Sequence, residues 1–436
     1  MDGQTVSLRT FRFNVSSCVN MLATALLAVF ALTLLTTHAI EAQTFSVIHN
    51  FSGGGDGKYP DAGVTVGPSG VLYGTASAGG TQGLELGVVF KLTHIGSSWV
   101  FGPLYEFAGH GDGADPYGGV VISPNGALYG TAFSGNYGNV FELTPPATFC
   151  RSILCYWNET ILYNFMGTPD GNGPLYEDLA FDRAGDIYGT TYYGGTNNVG
   201  TVFELTPSGG GYTESILHSF GSGTDGAYPE SGVVLDAAGN VYGTTAAGGT
   251  GTECNGGGCG TVYQLMPSNG GWAENVLVNF DGADGENPNG LIMDAFGSLY
   301  GTTSGGGQNG GGVVFKLARS GGGWSYAPLY SFSSGSCYPL SGVTMDAAGD
   351  LFGVCQIGGA HNDGWVYELT SCSQRCIAND LHDFSGSDGA NPWGGPVLDA
   401  NGNLYGTTYY GGTGTCYDEG CGVVWEIAGV GAQHKN

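Results

Sequence analysis

Positive charge is what this chain has least of. Ten Lys and Arg residues stand against thirty-seven Asp and Glu in 436 residues, a formal net charge of −27. Such a surface repels phosphate, so neither nucleic acid nor an anionic membrane is expected as a partner. Helical periodicity is also missing beyond the N-terminus, which argues against a helical bundle. The chain contains no G-x-S-x-G nucleophile elbow. It has no C-x2-C spacing with converging His for zinc, and no D-x-D-x-D-G run of the kind that cradles calcium. Glycine is abundant, 84 residues, but without a G-X-Y period, so a collagen helix is excluded.

What remains is aromatic and β-branched. Aromatic content of 12%, with Val, Leu and Thr plentiful, is too high for a disordered glycine linker. Many short apolar runs between glycine-rich turns point to an all-β sandwich, barrel or propeller.

The N-terminus is a separate object. Arg9 and Arg12 precede an apolar stretch, Met21 to Leu35, and then the small-residue region TTHAIEAQ. Residues 1–42 therefore read as a secretory signal cleaved after Ala42, with Ala39 the alternative. The apolar core is short for a membrane span. Cys18 precedes it, so no lipoprotein site is indicated. A secreted or periplasmic protein is expected. Removing this segment takes away Asp2, Glu41, Arg9 and Arg12 and leaves the net charge unchanged.

Ten cysteines remain, an even number in an exported chain, which implies disulfides. Spacing suggests Cys150 with Cys155, Cys254 with Cys259, Cys372 with Cys376, and Cys416 with Cys421, leaving Cys337 and Cys355 for each other.

One phrase recurs. Tyr-Gly-Thr stands at Tyr73, Tyr129, Tyr188, Tyr242, Tyr300 and Tyr405, with Phe352-Gly353-Val354 as a variant, so seven copies are spaced 52 to 59 residues apart. Periods of that size mark propellers or solenoids. The copy around Tyr242 shows the grammar: SGVVLD (Ser231 to Asp236), VYGTT, TVYQL (Thr261 to Leu265) and WAENVLVNF (Trp272 to Phe280) read as four strands joined by turns. Four antiparallel strands make one propeller blade. Mid-strand glycine marks close approach of a bulky group. The expected occupant is an aromatic of the neighbouring blade, the Phe closing each fourth strand (Phe165, Phe220, Phe280, Phe332, Phe384).

The ends fit each other. The mature chain opens on a lone fourth strand, FSVIHNF (Phe45 to Phe51), and closes on a lone third strand, GVVWEI (Gly422 to Ile427). Pairing them would cover an open sheet edge and close a seven-bladed ring. The expected organisation is thus a signal at 1–42, a propeller over 43–430 and a short polar tail at 431–436. The repeats fall near 45–99, 100–158, 159–213, 214–273, 274–325, 326–377 and 378–430.

The pattern D-x-x-G-x-hydrophobic-Y-G-T-T-x-x-G-G followed by G-T-V-F-E-L-T stands here as DRAGDIYGTTYYGGTNNVGTVFELT, Asp182 to Thr206. It resembles the GloVer tandem-repeat family of exported bacterial proteins, and more distantly is similar to NHL-type propeller repeats. The resemblance covers about Phe45 to Val430 and implies an extracytoplasmic repeat protein, often with a C-terminal sorting anchor, without an established activity. The ending GVGAQHKN has no hydrophobic tail, which argues against such an anchor here.

In a propeller the loops from fourth to first strand and from second to third strand open on one face, where ligands usually dock. The fourth-to-first loops carry Asp56, Asp112, Asp170, Asp225, Asp284 and Asp388, each before a glycine, and a proline follows in every blade. The plain reading is turn chemistry. The sharper one is an acidic ring near the axis that binds a cation, Ca²⁺ among them, or a polyhydroxylated ligand. Tyr59, Tyr117, Tyr228 and Trp393, with Tyr176 and Tyr338, lie in the same loops and could stack on sugar rings or pack between blades. His49, His218 and His382 share a fourth-strand slot with Tyr105, Tyr163 and Tyr330 and read as interchangeable packing residues. No catalytic residue, cofactor or metal ligand set is indicated. The expected protein is a monomeric binding or scaffold module for carbohydrate or protein. The alternative is an extracellular polysaccharide hydrolase or lyase using acidic residues of that face.

Overall fold

The computed structural model describes residues 43–431, except 82, 110, 148–154, 177, 222, 253, 255, 373–375 and 417–418. The expected signal and Cys150 lie outside the described residues.

Every copy of the phrase forms the second strand of a sheet. Among the described residues, seven sheets share one antiparallel order, first–second–third–fourth, and together they make a seven-bladed β-propeller. In the fourth blade the strands are Val234–Leu235, Val241–Thr245, Thr261–Ser268 and Gly271–Asn279. The first strand is shorter than its sequence suggests, because Ser231 to Val233 run along the wall of a central channel. Third and fourth strands run longer, closing on a two-residue turn at Asn269-Gly270.

The ring closes as its ends predict. Strand Thr44–Asn50 pairs antiparallel with Val423–Ala428, with Phe45 opposite Ile427 and Val47 opposite Trp425. The seventh blade thus takes its outer strand from the beginning of the described chain, which removes an exposed ladder edge.

The glycine of each phrase has a different occupant from the one expected. Gly74 lies opposite Phe90, Gly243 opposite Tyr263, and Gly406 opposite Trp425, on the third strand of the same blade. A Cβ on Gly74 would lie 2.6 Å from Phe90 Cζ, and one on Gly301 would lie 2.7 Å from Phe315 Cζ. The ring of the directly opposed residue lies across the glycine. The closing Phe of each fourth strand then packs on that ring from the preceding blade. Phe51–Phe90, Phe165–Phe203, Phe280–Phe315 and Phe384–Trp425 have centroids 5.1 to 6.1 Å apart. Each such pair adds about 1 kcal/mol beyond the area it buries.

Two further kinds of contact join neighbouring blades, the first in four of the seven copies. There the first threonine of the phrase donates to a carbonyl just before the first strand of the following blade: Thr75 to Gly118, Thr190 to Ser231, Thr302 to Ser341, and Thr407 to Ala62, at 2.7 to 3.1 Å. The glycine before each third strand faces the following blade's proline. A Cβ on Gly87 would lie 2.5 Å from Pro116 Cδ, and Gly422 repeats the contact with Pro60 across the closure. Gly422 has φ +91°, a conformation that glycine adopts at little cost.

Four of the expected disulfides are formed: Cys254–Cys259, Cys337–Cys355, Cys372–Cys376 and Cys416–Cys421. Cys155 is disulfide-bonded as well. Such bonds fit an extracellular or periplasmic protein. Among the described residues no helix is long and apolar enough to cross a membrane.

Candidate functional site

The six loop aspartates do not form a ring around the axis. Each accepts the amide that opens its own loop, and all but Asp284 also lie beside a His or Tyr of the preceding outer strand. Asp56 accepts Ser52 N at 2.9 Å, Asp112 accepts Ala108 N at 2.8 Å, Asp170 accepts Met166 N at 2.8 Å, and Asp388 accepts Ser385 N at 2.8 Å. Asp225 accepts Gly221 N at 2.6 Å and Asp284 accepts Asp281 N at 2.9 Å. Asx-type turns of this kind are what Asp before Gly favours.

The fourth-strand slot explains why His and Tyr exchange there. Tyr105 and Tyr163 donate their hydroxyls to Asp112 and Asp170 at 2.9 and 3.0 Å. His218 and His382 place Nε2 at 3.1 and 3.0 Å from Asp225 and Asp388, and His49 sits 3.3 Å from Asp56. In three blades a glutamate of the next blade's fourth strand joins the pair: Glu159 beside Asp112, Glu214 beside Asp170, and Glu274 beside Asp225. Burial, and then the neighbouring aspartate, pushes each glutamate up to about 7. His218, Asp225 and Glu274 lie within 4.8 Å of one another, a spacing compatible with a metal. Two of the three copies, however, carry Tyr where this one carries His, so the cluster is one copy of a repeated joint.

The aromatic candidates divide. Tyr117 and Trp393 line the mouth of the channel, and Tyr59 joins them through Tyr409. Tyr59 stacks on Tyr409 at 4.8 Å, and Tyr409 on Trp393 at 4.3 Å, with rings 15° apart in both pairs. Trp393 meets Tyr176 edge to face at 6.2 Å, and Tyr176 meets Tyr117 at 5.6 Å. Trp393 belongs to blade seven and Tyr176 to blade three, so their contact spans the mouth. Tyr228 stands apart, packed on Tyr192 at 5.1 Å.

Below these rings runs a channel of about 750 Å³, lined by first-strand segments. It holds residues that the repeat pattern passed over. Asp61 is 3% exposed and lines the channel, and neither carboxyl oxygen has a hydrogen-bond partner. The Ser77 hydroxyl nearby donates to Tyr59 O instead. Burial, with the charge of Asp115 behind it, pushes the Asp61 carboxyl up to about 8. Trp393 Nε1 and Ser341 Oγ line the same space and are also buried without partners. Asp178 and Glu230 face the channel too, and the protein crowded around them raises both carboxyls.

A signal for these residues does exist in the sequence. Asp61, Tyr117, Leu175, Glu230, Asn289, Leu340 and Trp393 each follow the constant proline of their blade. The frame repeats while this one position does not, and all of these residues but Leu175 line the channel. The residue before that proline is held in the left-handed region in most blades, with φ 59° at Tyr59, 53° at Asp115, 59° at Tyr228, 50° at Asn287 and 53° at Asn391. A residue before proline ordinarily avoids helical conformations. Cross-blade bonds hold it: Tyr59 N donates to Cys421 O at 2.9 Å and Asp115 N to Leu86 O at 2.9 Å.

The fold defines a repeat propeller with a channel lined by the segments leading into its first strands. The chain belongs to the Gloeobacter/Verrucomicrobia repeat family, whose model matches residues 107–270, 153–344 and 251–418. No curated protein matches it. Among solved structures it is similar to the extracellular domain of a B. thetaiotaomicron chain described as a hybrid two component system. Identity is 14% over 88% of this chain, with a TM-score of 0.53, and the match spans 39% of that chain. It is also similar to a PQQ-bound aldose sugar dehydrogenase from Streptomyces coelicolor, 13% identical over 88% of this chain and 98% of that one, TM-score 0.44. The first likeness is one of fold.

Proposed function

We propose that the protein is an extracytoplasmic binding module that takes a carbohydrate at the mouth of its channel. The observation that carries this reading is the stacked series Tyr59–Tyr409–Trp393 set above polar groups with no protein partner, Asp61, Trp393 Nε1 and Ser341 Oγ. Sugar rings present apolar faces that stack on aromatics, and hydroxyls that would complete such orphaned donors and acceptors. A buried polar group without a partner costs about 1–3 kcal/mol, which a fitting ligand recovers. The channel volume falls within the usual range for small-ligand sites. The loop aspartates are assigned to turns, so Asp388 serves as a control.

A glycan-array screen run beside turnover assays on the same polysaccharides tests the reading. Binding without product is expected, with Trp393→Ala losing about tenfold or more in affinity and Asp388→Asn leaving it unchanged. Product formation would favour the polysaccharide-acting enzyme. Capture of a protein but no glycan would move the module to protein recognition.

A further inference from the structure

We propose that the group recognised at this mouth is a primary ammonium, so that the ligand is a hexosamine-containing glycan and not a neutral one. The inference rests on the carbohydrate reading and adds the charge of the ligand. Among the described residues three carboxyls, Asp61, Asp178 and Glu230, line the channel, and no Lys, Arg or His lines it with them. Lys58 is bonded to Glu85 at 2.8 Å and leans over the outer ring of the stack, Tyr59, at 5.4 Å.

Asp61 is the sharpest case. It is almost wholly buried, it lines the cavity, and nothing in the protein is bonded to either oxygen. A desolvated carboxyl in that position needs either a proton or a cation. Alone, Asp61 takes the proton, because burial pushes its carboxyl up to about 8. An ammonium supplied by the ligand would replace it.

The surrounding groups agree. Tyr176 lies within the electrostatic reach of both Asp61 and Glu230, and Tyr409 within that of Asp61. Tyr176, Tyr117 and Trp393 line the channel with these carboxyls, so a cation there would gain from their quadrupoles as well as from the acids. Behind Asp61 stands Asp115, another acid. A neutral sugar would stack equally well but leave the carboxyls holding their protons. An acetylated amine would meet the same acids without charge.

Calorimetric titration of the whole protein with a glucosamine tetramer and with its N-acetylated counterpart, at roughly physiological ionic strength, decides the matter. The free-amine tetramer is expected to bind at least about tenfold tighter. Its affinity should rise from about pH 5.5 to 6.5 by up to about tenfold, as one proton leaves Asp61. Asp61→Asn should abolish both the preference and the pH dependence. Glu230→Gln, a second variant in case the first fails to fold, should reduce the preference without removing stacking.

Equal or tighter binding of the acetylated tetramer would overturn the ammonium proposal and leave the carbohydrate reading intact. No binding of either tetramer, with neutral glycans also inert on the array, would remove both. A preference that Asp388→Asn weakens as much as Asp61→Asn does would reduce the effect to general attraction by an acidic surface, and would also overturn the proposal.

Discussion

At the scale of single residues, the recurring Tyr-Gly-Thr phrase is a packing device. The glycine makes room for the ring of the residue directly opposed to it, and the threonine hydroxyl reaches the next blade. Gly301→Ala places a methyl 2.7 Å from Phe315 Cζ and 2.8 Å from Leu291 Cδ2. Overpacking of that kind is expected to cost about 1–3 kcal/mol, read from the midpoint of urea unfolding. Gly211→Ala is the comparison: its Cβ would meet nothing within 4 Å, and it lies at an exposed turn. That change is expected to stay within about 0.5 kcal/mol. Equal costs at the two sites would remove the close-approach account. The period and the need for a small residue were legible in the sequence, but the identity of the occupant was not. A pairing register decides which ring lies across a glycine, and a slip of one residue turns a strand's side chains to the other face.

At the scale of elements, the seam between the two ends matters most. Phe51 is fully buried, packed on Phe90 and Phe101 of the first blade, and it follows the strand that completes the seventh. Phe51→Ala is expected to cost about 3–5 kcal/mol. A chain beginning after Phe51 should melt markedly lower still, because it also bares the edge of Val423–Ala428. Circular dichroism melts of both variants check this, and an unchanged melt for the shortened chain would refute closure by the N-terminal strand. This seam was readable because strands could be counted, with one surplus at the start and one missing at the end. The loop face was harder. Asp-Gly looked the same whether its carboxylate faced the axis or the rim, since both readings share one local turn. Only the neighbouring strand, which supplies Tyr105, Tyr163 or His218, fixes the rim. Asp61 escaped notice for the opposite reason: it breaks the pattern at a single position, and sequence alone does not show that this position lines the channel.

At the scale of the molecule, acids held at the joints and in the channel set how stability responds to pH. Glu159, Glu214 and Glu274 titrate near 7 in the folded protein, Asp61 near 8, and Asp178 and Glu230 are raised as well. Unfolded, these groups titrate at about 4. Between the two ranges the folded state holds more protons than the unfolded one, so stability falls as pH rises. His218, raised beside Asp225, works in the same direction. Asp56 and Asp225, lowered by their His and backbone partners, act in the opposite sense, but only below about pH 4, where unfolded carboxylates take up protons. The melting temperature is therefore expected to be highest near pH 4 and to fall by several degrees toward pH 8, since each kcal/mol moves it by only a few degrees in a chain of this size. The joint glutamates are partly open to solvent, which keeps each contribution small. Growing self-repulsion of a −27 surface would produce a similar trend, and salt separates the causes. Repulsion between exposed charges is screened within a Debye length, whereas desolvation at a half-buried joint is screened far less. The fall should therefore persist at high ionic strength and flatten in a Glu159→Gln, Glu214→Gln, Glu274→Gln triple variant, whose amides carry no charge to desolvate. A slope that salt abolishes and the triple variant leaves intact would place the effect on the surface and not between the blades.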